Sequence, residues 1–174
     1  EKKPARPGEL FEITPDKLTV VALDGYRLAV VERPVQAAKE IRIIVPSKTM
    51  TEVSHLLPND EEEDVHICAN RRYVVFITAG YTIMSRLIEG EFLNYRNVIP
   101  DGSRTQVVID TKDFISTIER ASLIITERLK NPLRIAFTSE KVVVRCQTSL
   151  GRVVDEFAAQ CQGEEVEVGF NNRY

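Results

Sequence analysis

Ile43-Ile44-Val45-Pro46-Ser47-Lys48 and Val107-Val108-Ile109-Asp110-Thr111-Lys112 give the same structural instruction twice. Each is a β-branched apolar run followed by residues that stop a strand and open a helix. Behind each lies a helical stripe. In the first it is Met50, Val53, Leu56 and Leu57, with Lys48, Glu52 and His55 off the stripe. In the second it is Phe114, Ile118, Ala121 and Ile125, flanked by Ile115 and Ser122. The spacing predicts helices over 47–57 and 111–125, capped by Ser47 and by Asp110 or Thr111. Three alternating runs follow each helix: 65–68, 73–78 and 82–87 in the first copy, 133–137, 142–146 and 153–158 in the second. Val166-Glu167-Val168-Gly169-Phe170-Asn171-Asn172 begins the sentence a third time. Two β-α-β-β-β units and the start of another define a repeat protein, which works through its shape more often than through one reactive pocket.

Ahead of the first copy, 10–13 and 18–23 form a hairpin across Thr14-Pro15-Asp16-Lys17, and Asp24-Gly25 turns the chain into a third run closed by Pro34. Between the copies, 89–100 is polar and weakly periodic, a loop or short helical turn, and Asp101-Gly102-Ser103 marks a boundary. Pro58-Asn59-Asp60 stops the first helix, and the acidic run 61–64 reads as a solvated loop. Short connections and alternating strands call for antiparallel sheets with helices packed on one face, an α+β plan.

Composition narrows the function. The 174 residues carry a net charge of −3, which argues against a generally basic nucleic-acid binder but allows basic residues gathered on one surface. No apolar run approaches the ~20 residues of a membrane span. A start at Glu1 is expected of a piece of a longer protein. Cys68, Cys146 and Cys161 are odd in number, lie in or near apolar runs and lack C-x-x-C spacing, so buried reduced thiols of a cytoplasmic protein are expected. His55 and His66 have no nucleophile or metal partner at a useful spacing, and no phosphate-binding glycine motif is present. No catalytic residues, metal or cofactor are therefore expected. A hydrolase built on Cys68 or Cys146 would need a histidine brought close in space.

Val21-Ala22-Leu23-Asp24-Gly25-Tyr26-Arg27-Leu28-Ala29 is the remaining distinctive stretch. Spacing alone reads it as a β-turn and a strand. It also resembles the V-A-T-D-G-H-R-L-A stretch of the bacterial sliding clamp family, the β subunit of DNA polymerase III. Ile44-Val45-Pro46-Ser47-Lys48, the run Ser85-Arg86-Leu87-Ile88-Glu89-Gly90-Glu91-Phe92-Leu93-Asn94-Tyr95-Arg96, Glu119-Arg120-Ala121-Ser122-Leu123 and residues 165–171 resemble further family segments in the same order. The resemblance implies that 1–101 is most of the clamp's middle domain without its first strand and helix, and that 104–174 is the first part of its last domain. It implies a non-catalytic processivity factor: a homodimeric ring around duplex DNA, helices inward and sheets outward, weakly held to DNA and independent of sequence. Its implied partners are the replicative polymerase, the clamp loader and other clamp-binding proteins.

Carried over by the same resemblance, a partner-peptide pocket would include Leu23, Gly25, Tyr26, Arg27, Leu28, Leu93, Asn97 and Val98, with Leu28 and Val98 as apolar floor. Lys48 would contact DNA. Leu23 and Leu93 stand where the family often has threonine and proline. The family shows R-P-x-L-x-G where this chain reads Arg6-Pro7-Gly8, three or so residues shorter, so that wall of the pocket is not assigned to any residue here. A β-rich peptide-binding adaptor that forms no ring shares the pocket and is the alternative.

Overall fold

The computed structural model describes residues 8–57, 64–78, 80–126 and 131–174. The expected stop at 58–60, the acidic residues 61–63 and Arg6-Pro7 lie outside the described residues. The chain divides into two compact units between Val98 and Ile99.

The first unit opens with β1 (Gly8–Ile13), β2 (Lys17–Leu23), β3 (Leu28–Pro34) and β4 (Ile41–Pro46), one antiparallel sheet ordered β3-β2-β1-β4. Then come α1 (Ser47–Leu56) and a second antiparallel sheet of β5 (His66–Ala69), β6 (Tyr73–Thr78) and β7 (Tyr81–Arg86). Strand alternation sorts the first sheet's side chains onto two faces. On one, Phe11, Ile43 and Val45 pack against Val53 of α1 and Val74 and Phe76 of β6. The rings of Phe11 and Phe76 meet edge-on, 6.2 Å between centroids. A hydrogen bond of 2.7 Å between the Thr49 and Ser85 hydroxyls ties α1 to β7. On the other face, Leu10, Val21 and Ile44 are covered by the chain that leaves β7, through Ile88, Phe92 and the buried Tyr95. This sheet is therefore covered on both sides, which explains the nearly unbroken apolar run of β2.

The second unit has β8 (Thr105–Val108), α2 (Thr111–Ser122), β9 (Leu133–Phe137), β10 (Lys141–Thr148), β11 (Gly151–Ala158), β12 (Gln160–Gly163) and β13 (Val166–Phe170). Strands β11-β10-β9-β13 form one antiparallel sheet and β12-β8 another. Its core joins Ala121 of α2 to Leu133, Ile135, Val142, Val144 and Cys146, with the Phe114 and Phe157 rings 6.1 Å apart.

The repeated element order is present: β4-α1-β5-β6-β7 and β8-α2-β9-β10-β11. The third start is β13, which joins β9. Several local expectations fail. Pro46, not Ser47, occupies the α1 cap position and no side chain bonds there, whereas Asp110 caps α2 by accepting from the backbone N–H groups of Lys112 and Asp113. Both helices end early: Leu57 lies past α1 and is 39% exposed, and Ile125 lies past α2 although it still packs on the core. Strand β12 was not expected, because its polar Gln-Cys-Gln-Gly carries no hydrophobic alternation. Cys146 is buried, but Cys161 is half-buried and Cys68 exposed, since Cys68 lies on the β5 face away from the core; all three are free.

A second internal equivalence is structural. The hairpins Thr14-Lys17 and Thr138-Lys141 close with the same backbone bond, Thr N–H to Lys carbonyl, at 2.8 and 3.0 Å. The ion pair Lys17–Glu32 (2.9 Å) has its twin in Lys141–Glu156 (2.8 Å). Strand register then equates Leu10 with Arg134, Val21 with Arg145 and Leu28 with Arg152.

Candidate functional site: the apolar sheet face of the first unit

Asp24 builds the turn between β2 and β3. Its Oδ1 accepts from the backbone N–H groups of Tyr26 (3.1 Å) and Arg27 (2.9 Å), and its Oδ2 accepts from Arg27 Nε at 2.8 Å. The Arg27 guanidinium, with help from the two amides, holds the Asp24 carboxyl below its usual range. Gly25 has φ +86°, a left-handed conformation that a Cβ would strain. This geometry leaves Tyr26 80% exposed and starts β3 at Leu28. Tyr26 and Arg27 are thus turn residues rather than strand residues.

Leu28 is half-buried and packs with Leu10, Val21, Ile44 and Tyr95, and Leu23 lies opposite it in register. The connecting chain supplies the rest. Residues Tyr95–Val98 form one turn of 3-10 helix. Around it Leu93 and Val98 are about half exposed, and Asn97 is exposed with its N–H bonded to the Asn94 carbonyl at 3.2 Å. Leu28 therefore belongs to a cluster that also anchors the segment carrying Leu93, Asn97 and Val98. None of these eight residues lines a concavity of this unit, about 900 Å3, which is bordered by Leu10, Arg42, Ile44, Ile88 and Phe92. Lys48 is exposed in the first turn of α1, and no second basic residue lies in that turn.

Two residues that sequence reading passed over hold the segment. Tyr95 is 4% exposed, and its hydroxyl donates to Glu12 Oε2 at 3.0 Å. Arg96 Nη2 reaches the same oxygen at 2.8 Å, Arg42 Nε lies 3.3 Å from Oε1, and the Arg96 guanidinium stacks 4.7 Å from the Tyr95 ring centroid. Burial pushes the Glu12 carboxyl up, but the bonds from Arg96 and Tyr95 and the nearby guanidiniums outweigh it, leaving the group below the usual glutamate range. Burial and the Glu12 carboxylate push the Tyr95 phenol up. The far end of the segment is accommodated by Gly8, where a Cβ would come within 2.7 Å of Ile88 Cδ1. Alternation puts Glu12 on the same face as Leu10, a signal available in sequence; its partners more than eighty residues away were not.

His55 and His66 are both exposed, and no cluster of three metal-ligating side chains occurs among the described residues. No helix among them is long and apolar enough to cross a membrane.

An α+β chain of repeated β-α-β-β-β units, with an apolar sheet face gripped by the segment that leaves β7, belongs to the class of repeat proteins. Residues 1–94 match the DNA polymerase III beta subunit central domain, and residues 96–174 match the C-terminal domain of the same subunit. The chain belongs to the DNA polymerase III beta subunit, or sliding clamp, family. It is 28% identical to the beta sliding clamp of Bacillus subtilis over all of its own length and 47% of that protein's. The crystal structure of the Bacillus subtilis sliding clamp superposes with a TM-score of 0.90 at 27% identity, covering 99% of this chain and 47% of that one. A putative DNA polymerase III beta subunit from Eubacterium rectale gives 0.86 at 31% identity, covering 96% and 46%. The chain thus spans about half the length of the relatives it matches.

Proposed function

We propose that this chain is part of a DNA sliding clamp: a non-catalytic ring that encircles duplex DNA and tethers the replicative polymerase and other proteins. On this reading 1–101 is most of the middle domain, without its first strand and helix, and 104–174 is the first part of the last domain. Two complete subunits close head to tail as a homodimer. Topology holds the ring on DNA, so phosphate contacts such as one from Lys48 need only be weak enough to permit sliding. The loader and polymerase dock through a short peptide whose apolar anchors enter the face around Leu23, Gly25, Tyr26, Arg27, Leu28, Leu93, Asn97 and Val98.

The observation that carries this reading is the cluster around Leu28. A half-buried leucine continues an apolar sheet face, with exposed Tyr26, Leu93 and Val98 in the turn and segment that flank it. Large apolar groups left exposed beside a buried apolar floor favour peptide anchors. The test is a fluorescent polymerase-tail peptide titrated against wild type and Leu28→Asp, both checked by melting. A buried unpaired carboxylate in place of an anchor contact should cost about 2 kcal/mol or more, roughly 30-fold in affinity. Equal affinities would mean that the partner site lies elsewhere.

A further inference from the structure

The second unit carries the counterpart of that face with its chemistry reversed. Where the first unit places Leu10, Val21 and Leu28, the matching register places Arg134, Arg145 and Arg152. Arg134 and Arg145 stand directly opposite each other on β9 and β10. Like charges at directly opposed positions destabilise a sheet. Glu167 on β13 relieves part of that repulsion, one carboxylate oxygen taking each guanidinium at 3.2 Å. The Arg152 side chain, on β11 across from Gln147, makes no ion pair or hydrogen bond among the described residues. The three arginines border a concavity of about 630 Å3, whose rim is fixed by a 2.6 Å bond from Asn131 Nδ2 to the Gln147 carbonyl.

We infer that this arginine-lined concavity of the β11-β10-β9-β13 sheet docks an acidic, extended polypeptide segment. Charge complementarity gives the chemistry: three guanidiniums against one carboxylate leave a local excess of positive charge in a chain whose net charge is −3. Glu167 shows the mode, since a side-chain carboxylate already sits between two of the arginines and Arg152 is left for another. The shape of the occupant follows from the first unit. There the equivalent sheet face is covered by a single segment of chain. It meets the edge strand β4 through the Ile88 N–H, bonded to the Ile44 carbonyl at 2.9 Å, and crosses the face through Phe92 to the 3-10 turn at Tyr95. A strand-like peptide fits such a face, and a rigid duplex with phosphates on a broad cylinder does not. The inference is independent of the apolar pocket of the first unit.

The test is fluorescence anisotropy of a short labelled oligoglutamate peptide with the purified full chain, against an oligoglutamine peptide of equal length. The oligoglutamate peptide should bind saturably at low salt and the oligoglutamine peptide should not. Arg152→Glu should weaken binding about tenfold or more, and Arg152→Lys should retain most of it. Lys17→Ala, at an exposed ion pair of the first unit, should leave oligoglutamate binding unchanged. Arg152→Gln serves if circular dichroism shows the glutamate variant misfolded, and should also weaken binding. No saturable binding to wild type, equal binding of both peptides, or unchanged affinity in folded Arg152 variants would overturn the inference. It would be overturned equally if short duplex DNA displaced the peptide with the same dependence on Arg152, which would make the surface a nucleic-acid site.

Discussion

The two units build the same four-stranded sheet in the same order, close the same hairpin with the same bonds, and repeat the same lysine–glutamate pair. They then use the matching face in opposite ways. In the first unit Leu10, Val21 and Ile44 are sealed under the chain that leaves β7, and Glu12 gathers Tyr95, Arg96 and Arg42 at the polar end. In the second, Arg134, Arg145 and Gly169 stand at the matching positions, and Ala136 replaces Glu12. Backbone pairing sets the sheet, while the side chains of one face decide whether it becomes core or recognition surface.

Truncating the two faces should give the largest contrast. Tyr95→Ala removes a buried ring and its bond to Glu12, and should destabilise the first unit by about 3 kcal/mol or more. Arg145→Ala, at the position matching Val21, should change stability by about 0.5 kcal/mol at most. Denaturant melts of the two variants measure the difference, and similar losses would remove the distinction between sealed and open faces. Gly25→Ala comes next. Forcing a Cβ into the left-handed region costs about 1–2 kcal/mol, and nothing lies within 4 Å to add a clash, so the loss should be strain alone. Gly25→Asn, which tolerates that conformation, should recover much of it.

Acid should separate the faces further. Because Glu12 titrates below its unfolded value, its stabilisation is present above that unfolded value and lost as pH falls through the folded one. Amide protection at residues 94–98, taken relative to the intrinsic exchange rate at each pH, should fall on acidification in wild type and should be low at both pH values in Glu12→Gln. The second unit has Ala136 at that place; its own lowered carboxyl, Asp155 beside Arg120, ties α2 to β11, so its acid loss should appear at α2. The smallest effect belongs to the shared surface pairs. Lys17→Ala and Lys141→Ala should both leave the melting temperature nearly unchanged, since exposed ion pairs contribute little.

The element order was legible because strand, cap and helical stripe recur in the chain at a visible spacing. Asp110 was readable as a cap; the absence of a cap bond at Ser47 was not, since Pro46 takes the cap position. Strand β12 was hidden by its polar side chains, because only its pairing with β8 makes it a strand. Leu28 was reachable through the resemblance, and alternation placed Glu12 on the Leu10 face, but the meeting of Glu12 with Tyr95 across more than eighty residues carried no local signal. The second equivalence was the least visible. Its two copies differ by leucine or valine against arginine, so a search for hydrophobic pattern aligns β4 with β8 and passes over β1 with β9.

The claim that the chain belongs to a working clamp is tested most directly by topology. The natural full-length protein is loaded on circular duplex DNA, washed with high salt, and measured before and after a single cut of the circle. Salt screens phosphate contacts but does not open a closed ring. The protein should therefore remain on the intact circle through the wash and leave once the DNA is linear. Release from the intact circle by salt alone, at the same rate as from linear DNA, would contradict the account.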